Sequence, residues 1–447
     1  MVTTDYQTKT KRTNVKHSLA LLPALLLAPL VVLFTMTGVQ AEAAEPATAP
    51  PGVLGWAADT AGGRRGQILR VTTLNATGPG SITEVVQAKG PRIVVFEVGG
   101  IIDLAGKSLN ISEPFLTIAG QTASAPGITL IRGQISVKRV HDVVIQHIRV
   151  RAGEAGHKKK SGYEVHGIDH DSAWNIIIDH CSLSWGTDEN LSASGPRFEG
   201  ATPDEWRSNT SHRVTFSNCI LAEGLGNSTH GKGEHSKGTL IHDNATGILI
   251  VGNLYASNRD RNPLAKAGVQ AVIVNNWIAN PGRAAIHHGA VAKEWTPHEF
   301  IPSRLAVVGN VMEAGPDSSP KLALFSNSRG SPLELFMADN LAFKWDGQEA
   351  PLTSGEFTKL AACPFWPAGL IALPAVRVKE HILKNASARP WDRDDADKRI
   401  IQTSVERKGK IIDSEREVGG YPKAEPTQAA FNPADWNLET MEPRKVK

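Results

Sequence analysis

The chain is poor in cysteine, with only Cys181, Cys219 and Cys363 in 447 residues and no Cys-x-x-Cys pair. Three thiols do not make a disulfide framework for a chain this long. His166 and His170 have the His-x-x-x-His spacing, but Gly167 rather than Glu follows the first, and the surroundings read as turn and strand. Without a helix to bring both rings to one face, that pair is not expected to bind zinc. Charge of one sign is also missing. A net charge of +3 gives no electrostatic case for nucleic acid, so any preference for an acidic ligand must come from a local patch. Aromatics are scarce at 6%, against 41 glycines and many short Val/Ile runs, which favours strands and turns over helix bundles.

Long hydrophobic runs are absent except for one, Leu19 to Phe34. Lys9, Lys11, Arg12 and Lys16 precede it and Val39-Gln40-Ala41-Glu42-Ala43-Ala44 follows, the order of a secretory signal. An uncleaved anchor is the alternative. Residues 1–44 are therefore read as a signal peptide and Ala43 to Pro51 as a Pro/Ala spacer, with export of a mature protein that has no second membrane segment. The length allows two or three compact domains or one elongated repetitive one.

What is present is a repeated phrase: an apolar β-rich triplet, a small or polar residue, His or Asn, and another apolar run. It reads Val144-Ile145-Gln146-His147-Ile148, Ile177-Ile178-Asp179-His180-Cys181 and Thr215-Phe216-Ser217-Asn218-Cys219. It returns around Asn253, Asn276, Asn310 and Asn340. These seven markers lie 23 to 38 residues apart, as in a solenoid whose turns share a core and differ in their loops. An Asn at the hinge between two short strands tolerates the left-handed bend, and stacked Asn side chains can form a ladder. The pattern predicts a parallel β-helix, with a β-propeller second. Ser81 to Ala88 reads as a capping helix with Ser81 as N-cap, and Cys181 and Cys219 are expected as buried free thiols on adjacent turns. The β-helix domain is assigned to residues 45–343 and a C-terminal extension, packing on or capping it, to 344–447.

Ser257 to Lys266 carries Arg259, Arg261 and Lys266 around Pro263 and in isolation is a basic surface loop. Counting from the markers changes that. Asp188 lies eight residues after His180, Arg261 eight after Asn253 and Arg283 seven after Asn276, so turns of similar length put all three on one face. Asp188 and Arg261 are expected two turns, ~10 Å, apart. Asp188-Glu189 beside Asn190 is an oxygen-rich corner suited to Ca²⁺. Lys232 and Lys237, in the loop after Asn218, are placed to meet a carboxylated substrate, and His287-His288 reads as a loop pair with no metal role.

The chain resembles the pectate lyase family, right-handed parallel β-helix enzymes that cleave polygalacturonate. The resemblance rests on Gly62-Gly63-Arg64-Arg65-Gly66-Gln67, Asn75-Ala76-Thr77-Gly78-Pro79-Gly80-Ser81-Ile82, and above all Ile176 to Glu189. His230-Gly231-Lys232-Gly233 and Arg261-Asn262-Pro263 follow in order, and Val418-Gly419-Gly420-Tyr421-Pro422 resembles the tail of one bacterial branch. It implies that Arg261 is the base that takes the proton at carbon 5 of a galacturonate, with β-elimination of the next sugar. It also implies Ca²⁺ at Asp188 and Glu189, a substrate-binding role for Lys266, and the family's binding lysine at Lys232 or Lys237. Arg283 joins the substrate-binding set from its place on the face. An acidic plant-type polysaccharide is the expected partner and a monomer the expected state, without nucleic acid or membrane.

This chain departs from the family in two further ways. Leu264 stands where a second Arg often follows the proline, and His166 stands where an Asp that binds calcium often lies. A lyase on another uronate polymer therefore remains open. So do an inverting glycoside hydrolase, which needs Asp residues ~6.5–9.5 Å apart on one face, and a non-catalytic glycan-binding β-helix.

Overall fold

Short strands that cannot bury two faces alone do so by coiling. The structure, a computed structural model, describes residues 55–328 and 330–444; the expected signal peptide lies outside the described residues. Each turn of the coil gives one strand to each of three long sheets, of eleven, ten and nine strands. One turn is Trp174–Asp179, Ser182–Ser184 and Glu189–Ala193, and the next is His212–Ser217, Ile220–Ala222 and Lys237–Ile241. Neighbouring turns pair in parallel, ~4.8 Å apart. Crossovers between parallel strands are right-handed almost without exception, and this is a right-handed parallel β-helix.

In-register apolar columns set the pairing. Ile176, Val214, Ile248, Ala271, Leu305 and Leu335 stack across six turns of the eleven-stranded sheet, all buried. A slip of one residue would turn every one of them outward. Between the eleven- and ten-stranded sheets the chain bends at His147, His180, Asn218, Gly252, Asn275, Gly309 and Asp339, each with φ between 47° and 70°. The ladder belongs to the residue after the bend. Asn253 Nδ2 donates to Asn276 Oδ1 at 2.9 Å, Asn276 to Asn310 at 3.0 Å and Asn310 to Asn340 at 3.1 Å.

This corrects the sequence map. His147, His180 and Asn218 are bend residues, and Cys181 and Cys219 occupy the ladder position ahead of Asn253. Cys219 N–H donates to Asn253 Oδ1 at 2.8 Å and Cys181 N–H to Cys219 Sγ at 3.4 Å. Both cysteines are buried and free, stacked on adjacent turns.

Helix Ile82–Val86 closes the N-terminal end of the core with Ile82, Val85 and Val86, and Ser81 Oγ caps it by accepting Glu84 N–H at 3.3 Å. The sheets continue to Ser354 and Lys359. Beyond them, helices Ala375–Asn385 and Asp395–Val405 pack Val378, Ile382 and Ile400 against Leu254, Trp277 and Val311 on the outside of the ten-stranded sheet. Buried Arg149 and Arg151 of that sheet meet Asp394 and Asp397 of this segment. Among the described residues no helix is long and apolar enough to cross a membrane.

Candidate active site

The face predicted from marker offsets is the outer side of the nine-stranded sheet. Glu189 pairs with Lys237, and Lys237 bridges to Asp260, so three successive turns bring these residues into one row. Over that row lies a cleft of about 720 Å³ lined by Asp188, Glu189, Lys232, Arg261, Leu264, Lys266 and Arg283, among others. Six of the seven site residues expected from sequence share it. The seventh, Lys237, is buried beneath it and holds Asp260 at 2.9 Å.

Ser257 to Lys266 is woven into the wall rather than lying on the surface. Asn258 Oδ1 accepts Gly224 N–H at 2.9 Å while its Nδ2 donates to Leu221 O at 2.8 Å, and Asn262 Nδ2 donates to Ala284 O at 3.0 Å. With both asparagines buried, Arg261 between them adopts φ 61°. Left-handed backbone is uncommon for arginine and persists only where its surroundings hold it. Its guanidinium reaches back two turns to pair with the buried carboxylate of Glu189, closing the gap expected between Arg261 and the acidic corner. Burial lowers the Arg261 pKa, Asp188 raises it in opposition, and Arg283 lowers it again; the net direction is down.

The other cations divide into buried and exposed. Lys266 Nζ sits between Asp243 at 3.0 Å and Glu294 at 2.5 Å, and Arg197 makes the same two contacts at 2.8 and 2.9 Å. Lys266 is thus part of the cleft's internal charge network. Arg283 pairs with Asp260, yet 62% of its side chain is exposed, and Lys232 is exposed at the rim. These two can reach a polyanion. His287-His288 is not a loop: both lie on strand Ile286–His288, His287 in the cleft wall and His288 bonded to Asn327 Oδ1 and Ser303 Oγ at 2.9 Å. Burial pushes His287 down to about 4, with Asp260 opposing and Arg261 adding to the fall.

The acidic corner is built by a locked turn. Thr187 Oγ1 accepts Val165 N–H at 3.0 Å, and Asn190 Oδ1 accepts Gly186 N–H at 2.9 Å. Asn190 is buried and its Nδ2 donates to Ala222 O and Asn258 Oδ1, each at 3.1 Å, so it is not a ligand in waiting. Around Asp188 stand three imidazoles, of which only His166 was linked to the calcium corner by the resemblance. His235 Nε2 is 3.2 Å from Oδ1, and His230 and His166 Nε2 are 3.7 and 3.8 Å from Oδ2. Burial raises the Asp188 carboxyl, but His235, His166 and Arg261 outweigh it and hold it well below the usual range. Calcium takes six to eight oxygen ligands. Here Asp188 is ringed by nitrogens and Glu189 is engaged by Arg261, so the donor set does not fit calcium as a resident ion. The signal for these histidines was Ser228 to Lys237, where His230 and His235 flank the lysines.

No family model matches the chain. Curated relatives named "Probable pectate lyase C" match over most of its length. That of Neosartorya fischeri is 31% identical over 381 residues, 83% of this chain and 80% of the relative. That of Aspergillus fumigatus is 30% identical over 377 residues, with the same shares. Among solved structures, the cedar pollen allergen jun a 1 aligns with a TM-score of 0.52 at 16% identity, over 75% of this chain and 92% of the allergen. A pectate lyase solved for its substrate specificity and anti β-elimination mechanism aligns with a TM-score of 0.52 at 13% identity, over 78% of this chain and 100% of its own. At such identities these structures speak to the fold alone, whereas the curated relatives speak to descent: this chain belongs to the pectate lyase family of polysaccharide lyases.

Proposed function

We propose that the protein cleaves polygalacturonate by β-elimination, with Arg261 as the base. The observation that carries this reading is Arg261 itself, held in a left-handed conformation between buried Asn258 and Asn262 and aimed into a cleft with exposed cations at Arg283 and Lys232. Those cations receive the uronate carboxylates. Neutralising the carboxylate next to carbon 5 acidifies the carbon–hydrogen bond there and stabilises the charge that develops as it breaks. Arg261 takes the proton, and the bonding pair becomes the carbon 4–carbon 5 double bond. The glycosidic oxygen leaves carbon 4 with its electrons and takes a proton from water. For Arg261 to act, its pair with Glu189 must open. The calcium that the resemblance implies has Asp188 and Glu189 as its oxygen ligands, a set that fits it poorly, and no step is routed through it.

Leu264 lines the cleft where the resemblance implies a second arginine, which makes this wall less cationic and supports uronate polymers other than pectate as further substrates. Residues 1–44 are proposed as an export signal, residues 344–447 as a C-terminal extension whose first strands, Thr353–Ser354 and Thr358–Lys359, still prolong the coil, and the mature enzyme as a secreted monomer. The test is incubation with polygalacturonate and other uronate polymers, with calcium or with a chelator, following ultraviolet absorbance of unsaturated ends. Absorbance that grows with time is the expected result. Reducing ends without it would mean hydrolysis, and neither signal on any uronate would leave a glycan-binding protein.

A further inference from the structure

Beside the charged row of the cleft runs a row without charge. Leu240 pairs with Leu264, Leu264 with His287 and His287 with Ser326, on four successive turns of the nine-stranded sheet, and all four residues line the cleft. Side chains at paired positions share a face, ~4.8 Å apart from turn to turn, so they form one stripe along the cleft floor. Leu240 and Leu264 are half-buried and keep part of their apolar surface in the cleft, which Ala290 and Val291 also line. His287 adds no charge at neutral pH, because burial holds its imidazole down against the pull of Asp260.

The cations nearest the stripe in sequence are already paired. Lys266, two residues beyond Leu264, lies between Asp243 and Glu294, and Lys237, three before Leu240, is buried against Asp260 at 2.9 Å. Exposed cationic groups come instead from Arg283 and Lys232. The cleft thus offers two unlike surfaces, one that receives a carboxylate and one that receives an uncharged group.

We infer that the cleft selects a galacturonan whose carboxyl groups are partly methyl-esterified, an assignment that rests on the lyase reading. The unit that reacts carries a free carboxylate held by Arg283 and Lys232, and a unit over Leu240 and Leu264 carries a methyl ester. A carboxylate on the stripe exchanges water for apolar surface and gains no cation, which is unfavourable. The ester has no charge to desolvate and covers a methyl group there, which is favourable. It is bound and left intact. Complete esterification removes the charge that Arg283 and Lys232 receive, so neither extreme of esterification suits the cleft.

The test compares initial rates of ultraviolet absorbance on polygalacturonate, on galacturonans of rising methyl esterification and on the fully esterified polymer. The value of kcat/KM is expected to peak at partial esterification, ~3–10-fold above polygalacturonate, and to fall again at full esterification. Leu264→Arg puts a cation on the stripe and should return the optimum to polygalacturonate, shifting the ratio of the two rates by ~10-fold. Leu240→Lys, one turn away, should shift it in the same direction, so a variant that fails to fold leaves the other decisive. A parent rate highest on either extreme, or an unchanged ratio in both folded variants, would overturn the inference. Calorimetric titration of the Arg261→Lys chain with an oligogalacturonate and with its partial methyl ester reads the same preference without turnover. Tighter binding of the ester with no absorbance on any polymer would sink the lyase reading and keep the stripe; absorbance with tighter binding of the free acid would do the reverse.

Discussion

At the scale of single residues, the lyase reading concentrates on one guanidinium. Arg261→Lys keeps a positive charge opposite Glu189 but replaces a planar fork with a shorter point charge. The product signal is expected to fall by ~10²–10⁴-fold in kcat, with KM little changed and melting within a few degrees of the parent. The pH profile follows from the same residue. Burial and Arg283 lower its pKa, Asp188 and Glu294 raise it, and the net fall makes the neutral base accessible only on the alkaline side. Because the base form grows with pH, kcat/KM should rise from neutral into alkaline solution; a flat profile would remove Arg261 from the role. Arg261, Asp188 and Arg283 were legible because each stands seven or eight residues after a marker, close enough to survive the one-residue difference between bend and ladder markers. His230 and His235 were not, because they arrive from a long irregular loop where spacing carries no information about direction, and His166 was marked only through the resemblance. Lys237 was legible as a neighbour of the site but not as a buried support, since only the pairing with Asp260 distinguishes the two.

At the scale of the element, the repeat was readable and its register was not. An apolar run followed by His or Asn marks the bend in the first turns and the ladder in the later ones, and the two positions differ by one residue. Steric tolerance decides the first, since any residue there must accept left-handed φ. Hydrogen bonding decides the second, and there cysteine can stand in for asparagine. Asn276 shows what the ladder is worth. Its Oδ1 accepts both Asn253 N–H and Nδ2–H, and its Nδ2 donates to Ile250 O, Val274 O and Asn310 Oδ1. Asn276→Ala strands several of these buried groups and should cost ~2–3 kcal/mol in denaturant unfolding. Cys219→Ala removes a weak sulfur acceptor, a weak thiol donor to Ser217 O and a small volume, and should cost ~1 kcal/mol. Equal losses would mean that the ladder contributes packing and no more. Denaturing alkylation without reductant should label all three thiols, because the stacked pair is not bridged.

At the scale of the whole molecule, burial couples the fold to acid. The coil leaves several histidines little or no exposure to water, an outcome that no local pattern announces. His170, fully buried and stacked on Phe216, is pushed down by burial to about 4, and His287 likewise. In the unfolded chain both titrate near ~6.5. Between those values the unfolded chain binds protons that the native state refuses, so stability is complete above ~6.5 and is lost as the pH falls towards 4. Each group adds up to ~1.4 kcal/mol of loss per pH unit across that window. Asp179, whose carboxyl is held at about 2 against burial by His180 and Ser217, adds its own loss only at lower pH, where it protonates in the unfolded state first. Denaturant midpoints measured from neutral pH down to ~4.5 should therefore fall steeply in the range where histidine alone titrates. His170→Gln removes one of several such groups, His147 and His242 being held low by burial as well, and should flatten that limb even if it lowers the plateau. A variant with the parent's slope would show that the native state accommodates a charged His170, and that the acid limb originates elsewhere.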